Sequence, residues 1–482
     1  MRVAFVIPPV LDGTQDVDRC FGCNYSMYFL PLLAVLYSAT VLRERGHQVT
    51  VHDFAASRGG RQAFLDFVGG DDSDVYCFYT VFLSQATDRL GCDMLRQAHP
   101  AAHFVFFGPQ PTWQPEAFLD RPNTYVVRGE PEFTFGRLIE ALSAGAGLAG
   151  IEGLSYCGPA GVAHNDPAPY TAKLDDLPIP DRRLADHRPY CNPKLHSRPH
   201  TAMLTSRGCY AQCWYCVPNS LSYARELEHR KHHGTKPPVR IHSAERVIEE
   251  FRQVAGLGFR SVSVIDDQFL WDEARTVKIC EGIRGLKLEW SCLARCDRVS
   301  ERAAEAMARA GCAYVDLGTE SFDQQVLDSV KKGIRAEQTE RAVRILKKHG
   351  VGVELNVLFG ATPVETEETI RKTLRELRRL DVDYVLFSIA NPFPGTGFYE
   401  AAKANGWMAY GDYVPVDPAK HSIISYPHLP KERLEQILAR AYRLHYFNPR
   451  TLWRELCKVR SLSDFTDKFG AGVRLLKRTV LR

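Results

Sequence analysis

The stretch SRGCYAQCWYC, residues 206–216, places Cys209, Cys213 and Cys216 at spacings of four and three residues. A structural zinc ion usually takes four Cys or His ligands from paired knuckles, and the histidines that precede this stretch form no such knuckle. Three thiolates on a cubane 4Fe-4S cluster would leave one iron without a protein ligand and open to a substrate or cofactor. We therefore expect a cluster here, with structural zinc and uncoordinated thiols as the alternatives.

Six short apolar strands alternate with helical patterns from Thr201 onward. The predicted strands are TAMLTS, SVSVIDD, LEWSCLAR, CAYVDLGTES, GVELNVLFG and DYVLFSIANP. Six β/α repeats predict a partial barrel of parallel strands, whose chemistry belongs at the carboxyl ends of the strands. Polar or flexible residues stand at those ends, namely Asp266, Asp267, Arg295, Glu320, Ser321, Gly360 and Asn391. The cysteine loop follows the first strand, so we expect it on the same rim.

The first 150 residues show a second β/α alternation. The predicted strands are VAFVIPP, HQVTVHDF, DVYCFYT, HFVFFG and TYVVRG, with helices at 28–45, 60–68 and 84–98 and after Trp113. Near-continuous apolar strands separated by helices are typical of a parallel sheet covered on both faces. We therefore predict a doubly wound, Rossmann-like domain, which would bind ligands at the carboxyl ends of its strands.

Gly, Pro, Asn and Asp become frequent between the two alternations, as in GPAGVAHNDPAPY and LDDLPIPD. Such residues favour linkers and hairpins. We predict an α/β chain with a doubly wound domain at 1–150, a linker at 151–198, a partial (β/α)6 barrel at 199–400 and a helical region at 401–482. A length of 482 residues suits about three domains of about 150 residues each.

The cysteine spacing, with Tyr215 directly before the last cysteine, resembles the signature of the radical S-adenosylmethionine (SAM) superfamily. VIDDQF, LARCD, LGTES, LFGATPVET and NPFPGTGFY resemble successive strand-end motifs of its cobalamin-associated branch, and the resemblance covers nearly the entire chain. In that family the open iron chelates S-adenosylmethionine, and an electron from the cluster cleaves it to a 5′-deoxyadenosyl radical. The resemblance implies contacts to S-adenosylmethionine from Tyr215, Asp267, Arg295, Glu320, Ser321 and Gly360, with Arg295 on its carboxylate and Asp267 and Glu320 on its methionine or ribose part.

The domain before the barrel resembles cobalamin-binding domains in TVFLSQA, FGPQPTW and VVRGEPE. This resemblance implies cobalamin contacts from Thr80, Ser84, Gly108, Pro109, Gln110, Gly129 and Glu130. The glycines would let the backbone approach a bulky ligand. The first strand is followed by PPVLDGTQDVD, without the Asp-x-His-x-x-Gly of cobalamin-dependent mutases, so cobalamin is expected to bind without a protein histidine. A plain Rossmann-like fold without cobalamin is the alternative.

The resemblance implies an enzyme that methylates an unactivated carbon of a small-molecule or lipid-like metabolite. It would take electrons from a donor such as flavodoxin or ferredoxin. An alternative keeps the radical step but ends in cyclisation, rearrangement or carbon–carbon bond formation without net methyl transfer. A third reading is a non-catalytic cobalamin or iron-sulfur sensor.

Fourteen cysteines in a chain that begins without a secretory signal predict reduced thiols and a cytoplasmic location. We interpret Cys20 and Cys23 as buried thiols rather than as a redox or metal-binding pair. Residues 431–482 carry 13 Lys and Arg against 5 Asp and Glu. We interpret this basic tail as a solvated helical face, with weak contact to a membrane surface as the other reading, and expect no nucleic-acid partner.

Overall fold

The computed structural model describes residues 1–57, 59–158, 161–170, 173–447 and Gly470. The chain divides into two compact units. The first unit comprises Met1–Tyr190, Ser206–Gly208 and Pro218–His242, and the second comprises Cys191–Thr205, Cys209–Val217 and the described residues from Ser243 onward. Both units are α/β, as the alternation of strands and helices predicts.

The first third of the chain alternates short strands with helices. Its strands are β1 (Arg2–Ile7), β2 (Val17–Asp18), β3 (Asn24–Tyr25), β4 (Gln48–Asp53), β5 (Val75–Tyr79), β6 (His103–Phe107), β7 (Thr124–Val127), β8 (Leu154–Gly158) and β9 (Gly161–His164). Its helices are α1 (Leu33–Glu44), α2 (Gly60–Gly70), α3 (Gln85–Ala98), α4 (Pro109–Trp113) and α5 (Glu132–Ala144). The five predicted strands correspond to β1, β4, β5, β6 and β7. Helix α1 begins five residues after the predicted start, because Pro31 favours an extended backbone before it.

Seven of these strands form one sheet in the order β4-β1-β5-β6-β7-β8-β9. The strands from β4 to β7 in this order are parallel, whereas β8 and β9 are antiparallel additions at one edge. Every residue of β5 is buried, as expected of a strand covered on both faces. The hairpin of β8 and β9 lies in the predicted linker, so the sheet continues beyond residue 150.

The remaining strands are β10 (His200–Met203), β11 (Ser206–Arg207), β12 (Arg240–Ile241), β13 (Ser261–Val264), β14 (Glu289–Ala294), β15 (Cys312–Glu320), β16 (Gly352–Phe359) and β17 (Tyr384–Ile389). The remaining helices are α6 (Ser220–His233), α7 (Ala244–Gly256), α8 (Glu273–Ile283), α9 (Glu301–Arg309), α10 (Gln324–Ser329), α11 (Ala336–Lys348), α12 (Glu367–Leu377), α13 (Gly397–Ala404) and α14 (Lys431–Tyr446). Six of these strands form a parallel sheet in the order β10-β13-β14-β15-β16-β17. All six predicted barrel strands are present in the predicted sequence order.

The core of the second unit lies between this sheet and its helices. Trp290 is fully buried there, and its indole N–H donates to the carbonyl of Ala310 at 3.0 Å. Side chains alternate along β15, so that Val315, Leu317 and Thr319 are buried while Asp316 and Glu320 are only partly so. The six parallel strands therefore direct their carboxyl ends, and the residues that follow them, to one rim.

The segment Pro218–His242 packs with the first unit although it follows the cysteine loop in the chain. Helix α6 contacts α4, and β12 pairs with β11. The compact units therefore differ here from the predicted barrel at 199–400. Helix α14 lies in the predicted C-terminal region, whereas α13 begins in the predicted barrel and ends in that region. Almost all of the basic tail after residue 447 lies outside the described residues. No helix in the described ranges is long and apolar enough to cross a membrane.

Candidate functional site

The three cysteines occupy the loop Cys209–Val217 of the second unit. Two hydrogen bonds of Trp214 hold this loop, because its indole N–H donates to the carbonyl of Ala361 at 2.9 Å and its backbone N–H to that of Val330 at 3.2 Å. Cys213 is buried, whereas Cys209 and Cys216 are partly exposed. Within the described ranges, no group of three or more Cys, His, Asp or Glu side chains is arranged to hold a single metal ion. The donor set of three soft thiolates on one loop fits an iron-sulfur cluster.

Tyr215 belongs to this loop, and Glu320 lies close to it. The Tyr215 hydroxyl is shielded from solvent and makes no hydrogen bond to the described residues. Burial, the Glu320 carboxylate and the neighbouring Cys213 and Cys216 thiolates raise the pKa of Tyr215 well above its usual value, so the phenol stays protonated. Glu320 ends β15 with a backbone φ of +64°, a left-handed conformation that non-glycine residues seldom adopt. Tyr215 and Glu320, both predicted to contact S-adenosylmethionine, are therefore close together, and the backbone of Glu320 has an unusual conformation.

Lys332 joins this group, and the sequence analysis missed it. Its ammonium donates to Oε1 of Glu320 at 2.7 Å, and its side chain is 8% exposed. Its only signal in the sequence is a lysine pair before Gly333, and nothing local to that pair distinguishes buried Lys332 from exposed Lys331.

Arg295 is turned toward protein atoms. Its Nε donates to Asp297 at 3.0 Å, and its Nη1 donates to the carbonyl of Lys332 at 3.0 Å. The guanidinium also lies 5.2 Å from the ring centre of Tyr210. Burial alone would lower the pKa of Arg295, but Asp297 and Tyr210 raise it above its usual value. Arg295 is thus a fixed cation beside the cysteine loop, and its predicted contact to a carboxylate stays a prediction.

The strand-end residues Asp266, Asp267 and Ser321 differ in their surroundings. Asp266 is fully buried and accepts a hydrogen bond from the backbone N–H of Thr205 at 2.5 Å, so it ties β10 to β13. Asp267, the next residue, is partly exposed. Ser321 lies 3.0 Å from the hydroxyl of Thr373 and is buried. Of these three residues, Asp267 is the one whose exposure suits contact with a ligand.

Gly360 directly follows β16, and Asn391 lies two residues after the end of β17. Gly360 has a φ of +74°, which glycine adopts without strain. Its N–H donates to the buried carboxyl of Glu365, and burial raises the pKa of Glu365 to about 8 despite this bond. Asn391 accepts from the backbone N–H of Ile423 at 3.3 Å. Both residues therefore shape the rim through bonds within the second unit.

Two of the predicted cobalamin contacts carry buried oxygens without a partner. The hydroxyl of Thr80, after β5, and the amide oxygen of Gln110, in α4, make no hydrogen bond to the described residues. Pro109 begins α4 directly after β6 and its Gly108. Buried oxygens without partners are uncommon, and these lie at the carboxyl ends of β5 and β6, where a doubly wound sheet binds ligands. Thr80 and Gln110 therefore fit a polar ligand.

Three other predicted cobalamin contacts face protein atoms instead. The hydroxyl of Ser84 donates to buried Asp88 at 2.7 Å and accepts from Arg19 at 3.0 Å. A Cβ atom at Gly108 would lie 2.7 Å from the carbonyl oxygen of Thr80, and one at Gly129 would lie 3.3 Å from Cβ of Glu228. At Gly108 and Gly129, therefore, it is other residues of this chain that come too close to leave room for a side chain.

Glu130, the last predicted cobalamin contact, lies in a buried arginine cluster of the first unit. It pairs with Arg207 at 3.1 Å, with Arg225 at 3.7 Å and with Arg240. Burial alone would raise the pKa of Glu130, but the three arginines hold it below its usual value. Arg207 lies in β11, Arg225 in α6 and Arg240 in β12, so this cluster holds three elements of the first unit together. No local pattern in the sequence indicates it.

Cys20 and Cys23 have the properties of inert thiols. Burial is the main reason why the pKa of Cys20 is raised well above its usual value and that of Cys23 to about 12. The thiolate is the form that reacts and binds metal ions, so a raised pKa disfavours both in this pair. Cys20 is buried, as the interpretation expects, whereas Cys23 is partly exposed.

The fold and the site together define a class: a doubly wound unit combined with a six-stranded parallel β/α unit whose rim carries a loop of three cysteines. Residues 203–377 match the radical SAM superfamily. The chain is 30% identical over 464 residues to an uncharacterized methyltransferase of Pyrococcus horikoshii, covering 95% of both chains. It is 25% identical over 480 residues to the anaerobic magnesium-protoporphyrin IX monomethyl ester cyclase of Synechocystis, covering 95% of this chain and 88% of that one. The chain therefore belongs to the radical SAM superfamily.

Solved structures share the fold. The radical S-adenosylmethionine methyltransferase TsrM of Kitasatospora setae, with cobalamin and a [4Fe-4S] cluster bound, matches with a TM-score of 0.66 and 19% identity over 98% of this chain and 90% of that one. The cobalamin-dependent S-adenosylmethionine radical enzyme OxsB matches with a TM-score of 0.71 and 15% identity over 99% of this chain and 71% of that one. These likenesses confirm the predicted fold class, a Rossmann-like domain with a radical SAM domain.

Proposed function

We propose that this chain is a cobalamin-dependent radical SAM enzyme that methylates an unactivated carbon of a small molecule. The observation that carries the proposal is the likeness to a methyltransferase along 95% of both chains. A tryptophan 2-C-methyltransferase of Streptomyces laurentii, 27% identical over 206 residues, supports carbon as the acceptor. Cyclisation or rearrangement without net methyl transfer is the second candidate, because the relatives include the magnesium-protoporphyrin cyclase.

Cys209, Cys213 and Cys216 would hold the cluster, since they supply three thiols on one loop of the rim. When bound, the cluster and S-adenosylmethionine supply radical chemistry, and cobalamin supplies a transferable methyl group. Glu320 would contact S-adenosylmethionine with its second carboxylate oxygen, while Lys332 fixes the first one. Tyr215 would offer its hydroxyl as a hydrogen-bond donor.

On the first unit, we assign Thr80 and Gln110 to cobalamin, because their buried oxygens have no partner in the described structure. Three other residues would support the cobalamin site without touching cobalamin, because their ion pairs, hydrogen bonds and close packing shape the carboxyl edge of the sheet. These residues are Ser84, Gly129 and Glu130. No histidine follows β1 in the stretch that the mutase motif would occupy, so these residues would hold cobalamin without a histidine below cobalt.

A flavodoxin or ferredoxin would deliver the electron, because the radical step needs a one-electron donor. We keep the cytoplasm as the proposed location, since electron carriers of this kind and reduced thiols coexist there. The weak membrane contact depends on the basic tail, of which residues 448–469 and 471–482 lie outside the described structure.

The test uses the full chain reconstituted with iron and sulfide without oxygen, then supplied with cobalamin, S-adenosylmethionine, a strong reductant and a small-molecule extract. Mass spectrometry would quantify 5′-deoxyadenosine and S-adenosylhomocysteine. Cys213→Ala should abolish 5′-deoxyadenosine, and Cys157→Ala, which removes an exposed thiol of β8, should not.

A radical methylase would be supported if the wild type and Cys157→Ala form both products and Cys213→Ala forms no 5′-deoxyadenosine. 5′-Deoxyadenosine without S-adenosylhomocysteine would favour cyclisation or rearrangement. S-adenosylhomocysteine alone would exclude the radical step, and neither product from a cluster-loaded chain would favour a sensor.

A further inference from the structure

Lys332 places a buried positive charge close to the cysteine loop. Its side chain is 8% exposed, and its ammonium donates to Oε1 of Glu320 at 2.7 Å. A Cβ atom at Gly318 would lie 2.8 Å from the Lys332 nitrogen and 3.0 Å from Oε1 of Glu320. Gly318 therefore leaves the space that the buried pair occupies.

The turn that carries Lys332 is bound to the loop on one side and to Arg295 on the other. The backbone N–H of Trp214, the residue after Cys213, donates to the carbonyl of Val330 at 3.2 Å. The guanidinium of Arg295 donates to the carbonyl of Lys332 at 3.0 Å and to that of Gly333 at 3.3 Å. These bonds hold Lys332 in one place relative to Cys213.

The ammonium is charged at neutral pH. The Glu320 carboxylate lies 2.7 Å from this buried ammonium, and an opposite charge at that distance favours the charged form of the lysine. Charges that are shielded from water interact over several ångströms with little screening. The side chain of Glu320, at 14% exposure, is likewise shielded.

An iron-sulfur cluster gains one negative charge when it is reduced. Its reduction potential depends on net charge, on hydrogen bonds and on exposure to solvent. We propose that Lys332 raises the reduction potential of the cluster held by the cysteine loop, by placing a fixed ammonium on the turn that is hydrogen-bonded to this loop, while Glu320 opposes this effect. This inference rests on the proposed cluster and gives Lys332 a positioning and electrostatic role.

The test is a redox titration of the reconstituted full chain, without S-adenosylmethionine or substrate, followed by the electron paramagnetic resonance signal of the reduced cluster. Lys332→Met should lower the equilibrium constant for reduction at least tenfold, which is about 59 mV for one electron. Lys331→Met is the matched control, because Lys331 is the adjacent residue of the same turn and is exposed. It should leave the potential within the error of the wild type.

Two further variants keep the inference testable if Lys332→Met fails to fold. Lys332→Arg preserves the charge and should keep the potential close to the wild-type value. Glu320→Gln removes the opposing carboxylate and should move the potential upward.

Equal potentials in Lys332→Met and the wild type, at equal iron content, would overturn this inference alone. The same holds for a downward shift in Glu320→Gln or for a tenfold shift in Lys332→Arg. A wild-type chain that assembles no four-iron cluster would overturn the proposed function, and this inference with it.

Discussion

Replacing Arg207 by methionine should destabilise the first unit, because this arginine sits between two buried carboxylates. Its Nη2 lies 2.5 Å from Oε1 of Glu132 and its Nη1 lies 3.1 Å from Oε1 of Glu130, and it is 1% exposed. Methionine keeps the length of the side chain and removes the charge. Glu130 would still face Arg225 and Arg240, whereas Glu132 would keep no other ion pair within the described structure.

The expected loss of stability follows from the Glu132 carboxylate, which Arg207→Met leaves without an ion pair in the described structure. Removing one partner of a buried ion pair costs about 3–5 kcal/mol. Glu132 is the first residue of α5, and the helix N-terminus offsets up to about 1 kcal/mol for a carboxylate there. We therefore expect a loss of about 3 kcal/mol in the free energy of unfolding. Adding Glu132→Gln should recover most of it, since the buried charge is then gone.

Urea unfolding of the full chain, followed by circular dichroism, measures this loss. With an m-value of about 3 kcal/mol/M, the midpoint of the first unit should fall by about 1 M. Arg309→Met is the matched control, because its pair with Glu305 lies at the surface with side chains 60% and 46% exposed, and surface pairs contribute little. A loss below about 1 kcal/mol for Arg207→Met, or a further loss on adding Glu132→Gln, would refute the reasoning.

Three other variants test separate parts of the structure. Burial raises the pKa of Glu365 from 4.5 to about 8. Between pH 4.5 and about pH 8 this carboxyl is protonated in the folded chain and ionised in the unfolded chain. Its contribution to the free energy of unfolding therefore falls as the pH rises through this range. Glu365→Gln should remove this contribution, and equal slopes of melting temperature against pH in the two proteins would contradict it. Gly108→Ala should destabilise the first unit by about 1–3 kcal/mol, because φ is +111° and the added Cβ would meet the carbonyl of Thr80 at 2.7 Å; an unchanged melting temperature would argue against this close approach. The double variant Cys20→Ser and Cys23→Ser should bind as much iron as the wild type after reconstitution, since burial raises the pKa of both thiols, and a loss of iron would show that the pair is a metal ligand.

Much of the fold is readable from the sequence because its signals are local. A buried parallel strand such as β5 is a short run of apolar residues, and the residues after each barrel strand share one rim whatever the packing. The cysteine spacing lies within eight residues, Cys209 to Cys216. Each of these features can be recognised without knowing which distant segments meet.

The features that the sequence analysis missed depend on distant partners. Arg207 and Glu132 are 75 residues apart, and each alone reads as an ordinary surface charge. Glu130 was predicted to contact cobalamin, and the three arginines that surround it could not be foreseen from VVRGEPE. Lys332 becomes notable only when β15 brings Glu320 to its ammonium.

The sequence by itself determined the two β/α alternations and the three-cysteine loop, because hydrophobic periodicity and close thiol spacing act within a few residues. Only the tertiary structure decided that Pro218–His242 folds with the first unit, that arginines enclose Glu130, and that Lys332 rather than Lys331 is buried and paired with Glu320. The physical reason is that burial turns these charges into strong interactions, and burial is a property of the assembled fold.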